Sequence, residues 1–482
     1  MTIRKSTIEW NFIKGGLSMY KQSVVLGVVP VKRSFLSMEE ALRQKEKFMK
    51  VIRSIKTEAV EIIDVDDMCE NGIMWELKAV PSVIGKLKEK RIDALFIPFC
   101  DFGEEQVVAE IARAFDIPVL IWGARDEKPN TLESRGRDTQ CGMFAATKVL
   151  SRYGVKYSYI FNCETEGREF KTGYENFIRV AAVVKAMKNL RVAKIGERPG
   201  PFMSVMTNDA NLMNRFGITV VPISPFKISE TAMRIMKEET EEFQAYYKEL
   251  TARMDCSAMK EEEVKKAAAV KLAVKKHLEE NNCSVGAFEC WSAFPGLMGV
   301  CPCVALGELA DEGLPLACET DVNGAITMAI LRACDLYENA EFLADLTIRH
   351  PENDNGELLW HCGPFPYSLK AESSEAGLIN AQEQFELKQG DLTICRFDEL
   401  DGKYSLFAGE AKTTTGPKTS GTYVWMEVDN WKRWEEKLIF GPYIHHVGGV
   451  YGKYLPVLKE AARYLRIDFD DAHQEGGSPC AL

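Results

Sequence analysis

A succession of short apolar runs, each followed by an amphipathic segment, constrains this chain more than any other feature. Residues 23–31 (SVVLGVVPV), 60–65, 94–99 and 118–122 are β-branched or apolar runs of strand length. Helical patterns lie between them at residues 37–55, 73–90 and 104–115, with Ser37 placed as an N-cap and Glu40 as its capping-box partner. Strand, helix, strand in alternation predicts a doubly wound parallel sheet, whose ligands gather at the carboxyl ends of the strands. The loops at 30–33, 100–105 and 123–126 follow such ends. Neither GxGxxG nor GxxxxGK[ST] occurs at these turns, so neither a dinucleotide nor a nucleoside triphosphate is implied.

A polar segment at 126–139 marks a boundary, and a second α/β pattern begins beyond it. Helices are expected at 141–153, 167–187 and 209–216, with strands at 157–161, 191–195 and 219–222. The loop GERPGPFMS after the strand at 191–195 offers Arg198 as a ligand side chain. Residues 229–280 are helical and densely charged, a solvated pattern that implies no chemistry. After residue 340 the character changes to alternating strands at 342–349, 358–362, 392–397, 403–410 and 422–428, closed by a helix at 454–465. The expectation for the 482 residues is an α/β protein of three domains. Two doubly wound parallel-sheet (Rossmann-like) domains, residues 1–140 and 141–325, precede an α+β domain, residues 326–482, with an antiparallel β-barrel-like sheet.

The stretch from Gly286 to Ala325 sets acids at the ends of buried-looking runs. Glu289 follows Val285, Ala287 and Phe288, while Glu319 and Asp321 follow an apolar run ending in Cys318. A carboxylate in such a place is costly unless something pairs it. Two arrangements meet that requirement. Either the acids cap helices and sit at wet strand ends, or they converge on a cation or substrate that holds them ionised and ready for proton transfer. His445 and His446 near the C-terminus could complete such a site, and His361 ends another apolar run. Trp291 is either core or an apolar wall beside such a site.

A net charge of −11 excludes nucleic acid as a main partner. No window approaches a membrane span and the N-terminal segment has no signal-peptide core, which predicts a cytoplasmic protein. The fourteen cysteines follow no disulfide framework, and most are expected to be small buried hydrophobes, with no soft-metal site.

Five segments carry a resemblance: ALFIPFCDFGEEQVVAEIARAFDIPVLIWG, GAFECW, LACETDVNGAITM, HCGPFPYSL and IHHVGGVYGKY. In their order along most of the chain they resemble the L-fucose isomerase and L-arabinose isomerase family, cytoplasmic enzymes that interconvert aldoses and ketoses. The resemblance implies a divalent metal, Mn2+ or similar, bound by two acids and a histidine, with the acids moving a proton between C1 and C2 through a cis-enediol. Carried over by motif, Asp321 is one acid and His446 the histidine. Glu289 matches the other acid, with Glu319 or Glu308 as alternatives. His361, Trp291, Glu319 and His445 are the implied substrate contacts. The family implies a sugar substrate and a homo-oligomer, a trimer or hexamer. Two further readings fit the same scaffold: a non-catalytic sugar-binding protein, or a metal-dependent lyase or epimerase.

Overall fold

The structure, a computed structural model, describes residues 21–128 and 136–476. The N-terminal leader, residues 129–135 of the polar boundary segment and the last six residues lie outside the described residues.

Two compact units are present among the described residues, one comprising residues 22–185 and 456–466, the other residues 186–455 and 467–476. The first is built on β1 (Val24–Val28), β2 (Val60–Ile63), β3 (Ala94–Phe99), β4 (Val119–Gly123) and β5 (Ser158–Tyr159), all parallel in the order β2-β1-β3-β4-β5. Every residue of β3 is buried, as expected of a strand covered by helices on both faces. The helix Met38–Ile52 starts where the sequence predicts, with the Ser37 hydroxyl accepting from the Glu40 amide at 3.2 Å. The Glu40 carboxylate pairs with Arg43 rather than returning to the cap. The helix expected over 73–90 begins only at Val80. Pro81 in its first turn favours that start, and Met74 is used instead as a bridge to Pro30 and Lys32 at the sheet edge.

The second unit opens with another parallel sheet: β6 (Arg191–Ile195), β7 (Thr219–Ile223), β8 (Val285–Phe288) and β9 (Leu316–Cys318), in the order β7-β6-β8-β9. The remaining strands are β10 (Phe342–Arg349), β11 (Gly356–His361), β12 (Gly377–Ile379), β13 (Gln382–Glu386), β14 (Asp391–Leu400), β15 (Lys403–Thr414), β16 (Thr422–Glu427), β17 (His446–Tyr451) and β18 (Asp468–Asp471). Antiparallel pairing runs β16-β11-β10-β17-β14-β15 and returns from β15 to β16, closing a six-stranded barrel. Closure removes the exposed strand edges of that sheet.

The helix Val322–Cys334 joins these two layers. It lies against β8 and β9 of the parallel sheet and against β14 and β17 of the barrel, and all of its residues are buried. No strand is expected over β17 from the sequence, where Gly448 and Gly449 interrupt the apolar run. Both are needed for packing: a Cβ at Gly449 would meet the Phe342 ring at 2.4 Å, and one at Gly448 would meet Leu331 and Thr327 of the helix at 2.7 and 2.8 Å. No described helix is long and apolar enough to cross a membrane. All thirteen described cysteines are free.

Candidate active site

The site begins where β9 ends. After Cys318 the chain makes two consecutive left-handed residues, Glu319 (φ 61°) and Thr320 (φ 56°), before Asp321 caps the helix Val322–Cys334 through the Gly324 amide at 2.8 Å. Left-handed non-glycine residues cost about 1–3 kcal/mol each and persist where surrounding bonds hold them. Here the Thr320 amide donates to Phe288 O at 3.0 Å and its hydroxyl to Glu197 O at 3.1 Å.

This turn sends Glu319 and Asp321 to opposite nitrogens of one imidazole. Asp321 Oδ2 lies 2.9 Å from His446 Nδ1, and Glu319 Oε2 lies 2.9 Å from His446 Nε2. His446 opens β17, and the antiparallel register with β10 sets Asp345 directly across from it. Asp345 Oδ1 is therefore 3.4 Å from the same Nε2.

Asp321 is completely buried and is locked from behind by Arg396 of β14, whose guanidinium reaches its two oxygens at 2.5 and 3.2 Å. Arg396 Nε donates to Asp398 Oδ2 at 2.9 Å, and Asn323 donates to the other Asp398 oxygen at 2.9 Å. Burial pushes the Asp321 carboxyl up, but the Arg396 charge and the His446 bond overcome it and hold the group well below the usual carboxylate range. Burial opposes charge on His446 as well, yet the Asp321 hydrogen bond and the adjacent Glu319 carboxylate raise it to about 9. Glu319 is in turn lowered by His446 against its own burial.

His446 Nε2 and Asp345 Oδ1 are buried atoms with no partner in hydrogen-bonding geometry among the described residues. Asp345, His445 and His446 each bring a ligand atom within 4.8 Å of the others. Carboxylate oxygens of Glu319 and Asp345 around one imidazole nitrogen form a donor set that fits a hard divalent cation. The bond from Nδ1 to Asp321 is the support a ligating histidine ordinarily receives, fixing its tautomer and ring orientation.

Aromatic groups flank this centre. Phe202 has its ring 5.5 Å from that of His446 and 5.6 Å from that of His445. Trp291, 47% exposed, donates its indole N–H to Glu319 Oε1 at 3.0 Å. His445 is half-exposed, with Nε2 3.9 Å from Asp345 Oδ1, and partial desolvation of its ring together with the His446 charge lowers its pKa. The His361 ring lies 6.4 Å from that of His446. Its Nε2 is buried without a hydrogen-bond partner among the described residues, and despite burial the neighbouring Cys362 and Asp345 charges raise the imidazole to about 10.

Of the residues singled out in the sequence, Glu319, Asp321, His445 and His446 are brought together, with His361 and Trp291 beside them. Glu289 is engaged by its own surroundings: Oε2 accepts from the Glu197 amide at 3.1 Å, while Oε1 accepts from the Ser292 hydroxyl at 2.5 Å and the Ala293 amide at 3.3 Å. It closes the turn into the helix Ala293–Met298. Glu308 is buried and paired with Arg253, and Arg198 bonds the carbonyls of its own loop, Pro199 and Gly200. Asp345 and Arg396 had no role assigned from sequence. The available signal was a charge inside an apolar run, FLAD for Asp345 and LTICRF for Arg396, each of which had to be paired.

Residues 27–188 match the family described as "Fucose/sulfoquinovose isomerase, N-terminal domain". Curated relatives include the sulfoquinovose isomerase of Priestia aryabhattai, 24% identical over 457 residues that cover 93% of this chain and 99% of that protein. The sulfoquinovose isomerase of Alkalicoccus urumqiensis is 28% identical over 338 residues, 66% of this chain and 72% of its own. Among solved structures, an ABC transporter solute binding protein from Bacillus halodurans with bound myo-inositol is 15% identical over 65% of this chain and 90% of its own, at a TM-score of 0.16.

Proposed function

We propose that this chain, a fucose isomerase-like protein, interconverts an aldose and its ketose at Glu319, Asp345 and His446. The observation that carries this reading is the convergence of two carboxylates on the buried Nε2 of His446 while its Nδ1 is held by Asp321. Moving a proton between C1 and C2 through a cis-enediol needs one group to take it from carbon and another to serve the neighbouring oxygen. Glu319 and Asp345 arrive from two different elements, the turn after β9 and strand β10, and each keeps an oxygen near the shared centre. Glu319 is held ionised by His446, as a base must be, and its other oxygen is fixed by the Trp291 indole. A divalent ion such as Mn2+ bound by Glu319, Asp345 and His446 would act as a Lewis acid toward the sugar oxygens and stabilise the negative charge that develops on them.

Asp321 has no exposed surface and spends its oxygens on Arg396, Gly324 and His446, so its part is to hold the imidazole in place. Glu289, with its oxygens on backbone amides and Ser292, is assigned a structural part. His361, His445 and Phe202 line the approach and are the side chains that would meet the rest of the sugar. The reading includes a homo-oligomer, trimer or hexamer, to be checked by sedimentation.

An aldose panel tests this function. Sulfoquinovose, the sugar named for the curated relatives, comes first, with L-fucose and L-arabinose beside it, each assayed for ketose with Mn2+ and after EDTA. Ketose formation that needs the ion and disappears in Glu319→Gln and Asp345→Asn is the expected result. Sugar binding without turnover and without a bound ion would establish the binding-protein reading instead. Metal-dependent conversion to a product other than the ketose would favour a lyase or epimerase.

A further inference from the structure

Five cysteines from four segments meet beside His361. Cys303, the first residue of the helix Cys303–Glu312, has its Sγ 3.5 Å from Cys362 Sγ, just past the end of β11. The contact continues from Cys303 to Cys301 on one side, and from Cys362 to Cys318 and then Cys290 on the other. His361 Nδ1 lies 3.2 Å from Cys362 Sγ. Cys301 and Cys362 are half-buried, while Cys303 is 1% exposed.

We propose that Cys362 and Cys303 form an oxidisable dithiol, with Cys362 attacking a hydroperoxide and Cys303 resolving the product as an intramolecular disulfide. The sulfurs sit in van der Waals contact, so side-chain rotation has to close only the gap to a bond of about 2.05 Å. In the first step the Cys362 thiolate attacks the peroxide oxygen, the O–O bond breaks, and the departing hydroxide or alkoxide takes up the proton that the Cys362 thiol released on ionising, leaving as water or an alcohol while Cys362 becomes a sulfenic acid. In the second, the Cys303 sulfur attacks the sulfenic sulfur, its proton goes to the departing hydroxide, and water leaves. Two thiols are oxidised and one hydroperoxide is reduced.

The environments of the two sulfurs differ in the sense this sequence requires. The neighbouring Cys303 and Cys318 thiols, with His361 beside them, hold the Cys362 thiol far below its ordinary range. Cys303 is driven well above its ordinary range by the sulfurs on either side and by burial, so it stays a neutral donor until Cys362 is oxidised. Partial exposure puts Cys362, not Cys303, in reach of a small oxidant. Cys100 and Cys395, outside this run, are fully buried, and burial pushes both thiols far up, which makes them inert by comparison.

The test is covalent and independent of turnover, so it stands or falls separately from the isomerase reading. The full-length protein, loaded with Mn2+, is titrated with hydrogen peroxide, blocked with iodoacetamide and mapped by mass spectrometry without reduction. The expected species is a link between the peptides of Cys303 and Cys362, reversed by dithiothreitol. Before oxidation, Cys362 is expected to be alkylated about tenfold faster than Cys303 at pH 7. In Cys303→Ala the disulfide is lost and Cys362 is trapped by dimedone as the sulfenic acid. A Cys362 that stays reduced while other thiols oxidise, or that pairs with a cysteine other than Cys303 in the wild-type protein, overturns the proposal.

Discussion

Replacing Asp321 by asparagine separates the support of His446 from the chemistry at its other nitrogen. The Asp321→Asn side chain is isosteric and could still cap the helix at Gly324, a position asparagine fills well. What disappears is a charge buried against Arg396 at 2.5 and 3.2 Å. Removing one partner of a buried pair costs about 3–5 kcal/mol, and Arg396 keeps Asp398 at 2.9 Å, so the loss is expected near 3 kcal/mol. The cost has a pH signature. The folded-state pKa of Asp321 is depressed below its unfolded value of 3.8, so its stabilisation is fully present above about pH 4 and fades as pH falls through the folded value. The stability gap between wild type and Asp321→Asn should therefore close in acid, and it should also narrow as pH rises from about 6.5 to 9, where wild type loses the stabilisation that Asp321 gives protonated His446. Urea unfolding followed by circular dichroism with EDTA present measures it, and calorimetric titration with Mn2+ should show affinity weakened by about 10–100-fold through the loosened imidazole. Asp345→Asn makes the contrast, since it removes a buried oxygen without a hydrogen-bond partner: stability without metal should be kept while turnover is abolished. An Asp321→Asn protein that unfolds, binds metal and turns over like wild type would refute the argument.

Glu289→Gln keeps an acceptor for only one of the Glu197 and Ala293 amides, which bond different oxygens, and should cost about 1–3 kcal/mol with turnover within about twofold, whereas a loss of turnover beyond about a hundredfold would return Glu289 to acid–base duty. Glu341 is fully buried, and burial outweighs the Arg332 charge to raise it to about 7. Because its folded pKa exceeds the unfolded value of 4.5, it should make the protein less stable as pH rises from about 4.5 to 7, and Glu341→Gln should flatten that slope in denaturation midpoints. Trp291→Phe removes the indole donor to Glu319 and should lower turnover about tenfold while leaving the melting temperature in place, because the ring is half exposed. Stripping the metal with EDTA should lower the melting temperature by leaving Glu319 and Asp345 to share His446 alone, and added Mn2+ should restore it in proportion to its concentration.

Much of the architecture is legible in the order of residues. The alternation of apolar runs and amphipathic segments marks both parallel sheets, and the period-two runs after residue 340 mark the barrel, because hydrophobic periodicity is written locally along the chain. The boundaries moved where a local rule competed with packing. Pro81 delayed one helix, and the Gly448–Gly449 pair hid a strand whose small residues accommodate the Phe342 ring and the neighbouring helix.

The sequence by itself determined that acids stand at the ends of buried strands and that a pair of histidines waits near the C-terminus. Which acids meet which nitrogen was decided only in three dimensions. Simple strand alternation treats Glu319 and Asp321 as equivalent, two residues apart on one face. Two left-handed residues in succession break that equivalence and deliver one carboxylate to Nε2 and the other to Nδ1 of a histidine 125 residues further on. Asp345 joins them through an antiparallel register, and Arg396 through a strand 75 residues from its partner. Register and chain crossing are properties of pairing between distant segments, set by the whole barrel closing on itself, and no local pattern encodes them.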